Sequence, residues 1–154
     1  MTEKVEAIKA FTQIGFDRLG RVTKDLKSEQ LDWKYCKEAN TIRWILTHIS
    51  QELHVYIPRV ISGDKEYMPQ GWPEDYVGNK SYSLEKIMGD LEKGKAGLME
   101  GLDTLTDASL AEEIDFFGGK RKREYAVMLL ISEILHHEGQ IAAILGVKKR
   151  MKGE

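Results

Sequence analysis

Four histidines occur in 154 residues, His48, His54, His136 and His137, and their spacing to acidic residues is the first feature that bears on chemistry. Glu133 and His137 are four apart. On a helix that separation puts both side chains on one face, one turn apart, where they can converge on a metal ion. His136 is turned by about 100° from that face. His48 has Glu52 four residues after it and Trp44 four before, while His54 is displaced from that line. Helix bundles build metal centres by pointing carboxylates and histidines inward from facing helices, and His48 with the Glu133/His137 pair is such a set. Two histidines and a carboxylate leave positions open to water or substrate and suit zinc, nickel, iron(II) or manganese. Taken alone, Glu-x-x-x-His is far more often the pattern of a solvated helix face.

The elements that must position these residues read as helices. From Glu3 to Lys27, Val5, Ile8, Phe11, Gly15, Leu19, Val22 and Leu26 recur at spacings of three and four, which predicts a first amphipathic helix. Gly15 and Gly20 within it either admit a close neighbour or mark a bend. Asn40 is a good N-cap for a second helix over Thr41 to Ile61, whose stripe is Ile42, Ile45, Ile49, Leu53, Tyr56 or Ile57, and Val60. Pro58 inside it predicts a kink or break. Gly63 to Tyr82 then forms a connection of unusual length containing Pro69, Trp72 and Pro73. It reads either as an aromatic flap over a pocket or as a strap pinned to the bundle by Tyr67, Trp72 and Tyr76.

A third helix follows Ser81 or Ser83, with Leu84, Ile87, Leu91, Leu98, Leu102 and Leu105 on one stripe, and ends near Thr106-Asp107. Glu112 to Phe117, the Gly118-Gly119 pair and the basic run Lys120 to Arg123 predict a short hairpin. The last helix runs from Glu124 to Leu145, with Gly146 as its stop and 146–154 as a fraying tail. Four helical patterns without a linker or internal repeat predict an all-α, antiparallel four-helix bundle in one domain, 1–154, with its long connection between helices two and three.

Composition narrows the function. A hydrophobic share of 42% and a charged share of 31% suit a globular domain, and a net charge of -2 gives no general attraction to polyanions. The Lys120–Arg123 run is short, flanked by Glu113, Asp115 and Glu124, and lacks the interleaved aromatics that stack on bases, so it predicts a solvated turn and no nucleic-acid partner. No apolar run approaches the ~20 residues of a membrane span, and the start of the chain lacks a signal-peptide pattern. The expected location is the cytoplasm, which the single cysteine, Cys36, suits.

Asn40-Thr41-Ile42-Arg43-Trp44-Ile45-Leu46-Thr47-His48-Ile49, followed by Glu133-Ile134-Leu135-His136-His137-Glu138-Gly139-Gln140-Ile141, resembles the DinB-like family, which includes YfiT-type metal-dependent hydrolases and thiol-dependent transferases. The likeness in motif order and helix spacing spans nearly the whole chain. It implies that one metal-binding histidine, after an apolar-tryptophan stretch, falls on His48. The other two come from an HxxxHxGQ pattern whose second histidine falls on His137, ahead of Gly139-Gln140. Its first falls on Glu133, a departure that leaves a two-histidine, one-glutamate site. Zinc or nickel is favoured, and iron and manganese stay open.

Around that set, Glu52 supports a bound imidazole or is an ordinary carboxylate, and Gln140 orients a ligand or faces solvent. Trp44 and Trp72 are pocket candidates, Trp44 also reading as core. Gly139 lets helix two or a ligand approach. No residue is singled out as catalytic. The resemblance implies hydrolysis or thiol transfer on a small-molecule substrate, with a thiol as cosubstrate in the second case, and a homodimer. The rival expectation is a non-catalytic bundle binding a small molecule or partner, with Glu133 arising as the metal was lost.

Overall fold

The computed structural model describes residues 1–153. Four helical rods make the bundle. The first is α1, Glu3–Thr23, whose start is fixed by the Thr2 side chain accepting from the Val5 amide. The second is α2, Ile42–Gln51, continued through a single π turn, Glu52–Tyr56, into α3, Ile57–Ser62. The third is α4, Leu84–Asp103, capped by Ser83. A short α5, Asp107–Ala111, and a hairpin of β1, Glu113–Phe116, and β2, Gly119–Lys122, lead into the fourth rod, α6, Arg123–Met151. The α1 rod packs on α4 and α6, and the α2–α3 rod packs on the same two.

The predicted stripes form the core. Ile42, Ile45 and Ile49 of α2, Leu98 and Leu102 of α4, and Val127, Ile131, Ile134 and Ile141 of α6 are fully buried. Each contributes roughly 1.5–3 kcal/mol on burial. The α4 helix and the second rod meet closely at Gly94. A methyl group there would stand 2.7 Å from Leu53 Cβ, which cannot move without its backbone. Gly15 lies against Ile134 in ordinary contact, whereas Gly20 has nothing near it, so the first of the two admits a neighbour.

The structure differs from the sequence expectation at several points. Helix α1 ends at Thr23 rather than Lys27, and α4 at Asp103 rather than near Thr106-Asp107. Thr41, not Asn40, caps α2: its side chain accepts from the Trp44 amide, one turn in. Pro58 neither breaks nor ends its helix. The π turn before it absorbs the irregularity, so the proline falls in the first turn of α3, where a missing N–H costs little. The hairpin turns at Phe117-Gly118 rather than at the glycine pair, with Gly119 opening β2 opposite Phe116. Finally, α6 passes through Gly146 and continues to Met151, so most of the tail expected to fray is helical. Lys148, Lys149 and Arg150 in its last turn complement the negative helix end, and Lys148 lies 5.6 Å over the Trp33 ring.

The long connection is a strap. Tyr76 is buried, its hydroxyl meeting Ser50 Oγ at 2.8 Å and donating to Asp90 at 2.6 Å. The Gly78 amide donates to Thr47 Oγ1. Arg43, paired bidentately with Asp32 at 2.7 and 2.9 Å, also donates to the carbonyls of Asn79 and Tyr82. One buried guanidinium thus ties both long connections to α2. Among the described residues no helix is long and apolar enough to cross a membrane.

Candidate metal centre

The α2–α3 rod and α6 run antiparallel along one seam. Arg123, at the start of α6, donates to the Val60 carbonyl of α3, and fourteen residues further along α6 the ring of His137 meets that of His48. The two imidazoles are 4.8 Å apart edge to face, and Trp44 stacks on the outer side of His48 at 4.8 Å and 15°. Trp44 therefore fixes one ligand candidate from behind, and Gly78 of the strap closes on its indole.

Ligand-capable atoms of His48, Glu52 and His137 all lie within 4.8 Å of one another. His48 Nε2 is 3.4 Å from Glu52 Oε1. Glu52 is 5% exposed and His137 6%, burial unusual for a carboxylate without a cationic side chain bonded to it. Glu52 Oε2 and His137 Nε2 have no hydrogen-bond partner among the described residues. The other nitrogen of His137 is engaged: Nδ1 is 2.8 Å from Gln140 Oε1. With Gln140 Oε1 assigned to this contact, the oxygen accepts, and the tautomer that satisfies it carries the proton on Nδ1 and presents the Nε2 lone pair to the cluster. Two buried acceptors without a donor, on residues whose ligand-capable atoms lie within 4.8 Å of one another, leave about 1–3 kcal/mol each unrecovered, and a cation satisfies both.

Glu133, the carboxylate expected as a ligand, lies 3.7 Å from His137 Nε2 with its side chain 36% exposed, and it is outside the three-residue cluster. It borders the centre from the open side. The carboxylate that joins the two histidines is Glu52. Its signal in the sequence was the four-residue spacing from His48, the same signal that selected Glu133. Spacing alone does not reveal which of the two is buried.

The remaining candidates separate cleanly. Gln140 orients His137, and its amide nitrogen lies 3.4 Å from exposed His136. Trp72 sits away from the cluster, between His54 and Tyr76 at ring distances of 5.2 and 4.3 Å. His54 itself is bonded to the Asp90 carbonyl on α4. Gly139 has nothing within 4 Å, so its missing side chain admits neither helix two nor any other part of the chain. Cys36 is free and exposed, apart from the centre. The basic run forms β2 and the first residue of α6, with Lys120 paired to Asp115 and Arg123 to Glu112.

A seam between antiparallel rods, with two histidines and a buried carboxylate facing one another across it, defines a bundle protein equipped to hold a metal. Residues 12–141 match the model of the DinB superfamily, and the chain belongs to that superfamily. Two solved structures share its fold. A conserved protein from Enterococcus faecalis has a TM-score of 0.72 at 12% identity, covering 100% of both chains. A DinB-like protein, YjoA, from Bacillus subtilis has a TM-score of 0.70 at 14% identity, covering 99% of this chain and 94% of that one. No curated protein sequence matches the chain.

Proposed function

We propose that the protein holds one divalent transition metal between His48, Glu52 and His137 and acts on a small molecule there, by hydrolysis or by transfer to or from a thiol. The observation that carries the reading is the pair of buried, unpartnered acceptors, Glu52 Oε2 and His137 Nε2. Tetrahedral ligand atoms about 2.1 Å from zinc stand about 3.4 Å apart. His48 and Glu52 already have that separation, and side-chain torsions bring His137 in from within 4.8 Å.

Three protein ligands leave room for a water or substrate atom, and an ion in such a site acts as a Lewis acid and acidifies the water or thiol it holds. The chain's own groups have distinct parts. Gln140 keeps the Nε2 lone pair of His137 pointing inward. Trp44 holds the His48 ring and keeps water from that side. Glu133, beside His137 Nε2 yet open to solvent, is placed to accept a proton from an incoming water or thiol. Zinc or nickel fits the donor set best, with iron and manganese compatible. The reading includes a homodimer, which sedimentation equilibrium showing only monomer would remove.

The test is metal content by plasma mass spectrometry on untagged protein. About one equivalent is expected in the wild type, retained in Glu133→Gln and lost in His48→Ala, Glu52→Gln and His137→Ala. Retention in Glu52→Gln with loss in Glu133→Gln would hand the carboxylate role to Glu133. Protein that takes up no zinc, nickel, iron(II) or manganese would leave a non-catalytic binding module.

A further inference from the structure

The same seam opens further along into a cavity of about 530 Å³ between α3, the hairpin and α6. That volume holds a ligand of ordinary metabolite size. Its inner wall includes Tyr56 and Leu130. Tyr56 lies one turn past Glu52 on the second rod, and Leu130 seven residues before His137 on α6, so the inner end of the cavity faces along the seam toward the metal centre, whose three residues stand beyond its lining. Its outer wall is the hairpin, through Ile114, Phe116 and Phe117.

Phe117 is the anomaly that singles this wall out. It occupies the first turn position at φ 45°, a left-handed conformation that favours Asn, Asp or Gly, and is the one non-glycine residue with positive φ among those described. The residue is 78% exposed, and its ring meets that of Phe116 edge-on. Neither turn chemistry nor core packing accounts for a phenylalanine here. Strain held against local preference is a mark of a site that uses the residue. The charges at the mouth are uneven as well. Arg123 is committed to Glu112, and Lys120 to Asp115. Arg59 donates to the Tyr67 carbonyl and lies over the Tyr56 ring but has no acidic partner among the described residues, so the charges of Arg59 and Lys65 stand against the single acid Glu113.

We infer that this cavity is the substrate pocket and that it selects a small molecule with a flat apolar body and one anionic group, held by Phe116, Phe117 and Tyr56 and steered by Arg59 and Lys65. Its role as a substrate pocket rests on the metal reading above; its capacity to bind does not. The experiment therefore uses metal-free full-length protein, titrated with 2-naphthoate, 2-naphthamide and 2-naphthylmethylamine and followed by amide proton–nitrogen shifts. The naphthoate should shift Tyr56, Val60, Ile114 and Leu130 saturably, with the amide and amine at least about fivefold weaker. Phe117→Gly should weaken the naphthoate by about fivefold without lowering Tm, because glycine adopts the turn freely. Lys65→Glu should erase the preference for the anion. Shifts elsewhere, no saturation at millimolar probe, or equal binding of all three probes would overturn the assignment. Undiminished binding by Phe117→Gly would overturn the part given to the hairpin.

Discussion

The Nδ1 atom of His137 lies 2.8 Å from Oε1 of Gln140, three residues further along α6, and this contact decides which imidazole nitrogen faces the bundle seam. Fixing the tautomer of a histidine ligand is worth about 10–100-fold in metal affinity in comparable centres. Gln140→Leu is expected to weaken zinc binding by about that factor, read by competition with a chromophoric chelator, while the helical circular dichroism stays unchanged. Gln140→Glu keeps the acceptor and should restore most of the affinity. Equal affinity in the wild type and the leucine variant would reduce Gln140 to a surface residue.

The approach of α4 to the second rod gives a stability prediction with its own control. Gly94→Ala puts a methyl 2.7 Å from Leu53 Cβ and 3.2 Å from His54 Nε2, and overpacking of that kind costs about 1–3 kcal/mol. Gly97 lies one turn on, with nothing near it, so Gly97→Ala should stabilise by about 0.5–1 kcal/mol through helix propensity and a less free unfolded chain. Urea melts of both variants measure the difference, and a stabilised Gly94→Ala would refute the packing argument.

Asp90 joins the strap to α4. Burial pushes its carboxyl up, but hydrogen bonds from Tyr76 and Lys86 outweigh that and hold it below the ordinary value of 3.8. A carboxylate lowered in the folded state contributes stability above its unfolded pKa, and the contribution is lost as pH falls through the folded value. Asp90→Asn should therefore destabilise the protein by about 1–2 kcal/mol near neutrality. The gap in Tm between variant and wild type should narrow as pH drops below the ordinary carboxylate value. A gap independent of pH would mean the strap is held by packing alone.

These side chains also show what the sequence alone conveys. Apolar periodicity located all four rods, because a helix buried on one side must repeat every three to four residues. It set His48 on the face of Ile45, whereas His137 was singled out by its spacing from Glu133 and by the family resemblance rather than by the apolar stripe. The π turn was not read from the sequence: its extra residue shifts the register by one position, and the stripe is ambiguous there, at Tyr56 or Ile57, just before Pro58. Which of Glu52 and Glu133 is buried beside the histidines was equally hidden. Both stand four residues from a histidine, and they differ only in burial, which depends on how α2 and α6 are rotated against each other. The strap's fastening by Arg43, Tyr76 and Asp90 joins residues with no common spacing in the chain.

Glu52 supplies the sharpest separation between a metal centre and an ordinary buried ion pair. If its carboxylate serves chiefly to pair with His48, 3.4 Å away, then Glu52→Gln loses a favourable contact and the metal-free protein should melt earlier. If the carboxylate awaits a cation, the metal-free wild type carries two buried acceptors without a donor, Glu52 Oε2 and His137 Nε2. The glutamine amide supplies a donor of the same size and removes the repulsion between lone pairs. Glu52→Gln should then raise the Tm of the protein in chelator by about 2–4 °C, the equivalent of about 1 kcal/mol at this chain length. Zinc should raise the Tm of the wild type and leave the variant unmoved, since binding to the folded state alone is what stabilises it. A site kept at a cost to stability is the signature expected of function. A lower Tm for the variant in chelator would instead make Glu52 a structural partner of His48.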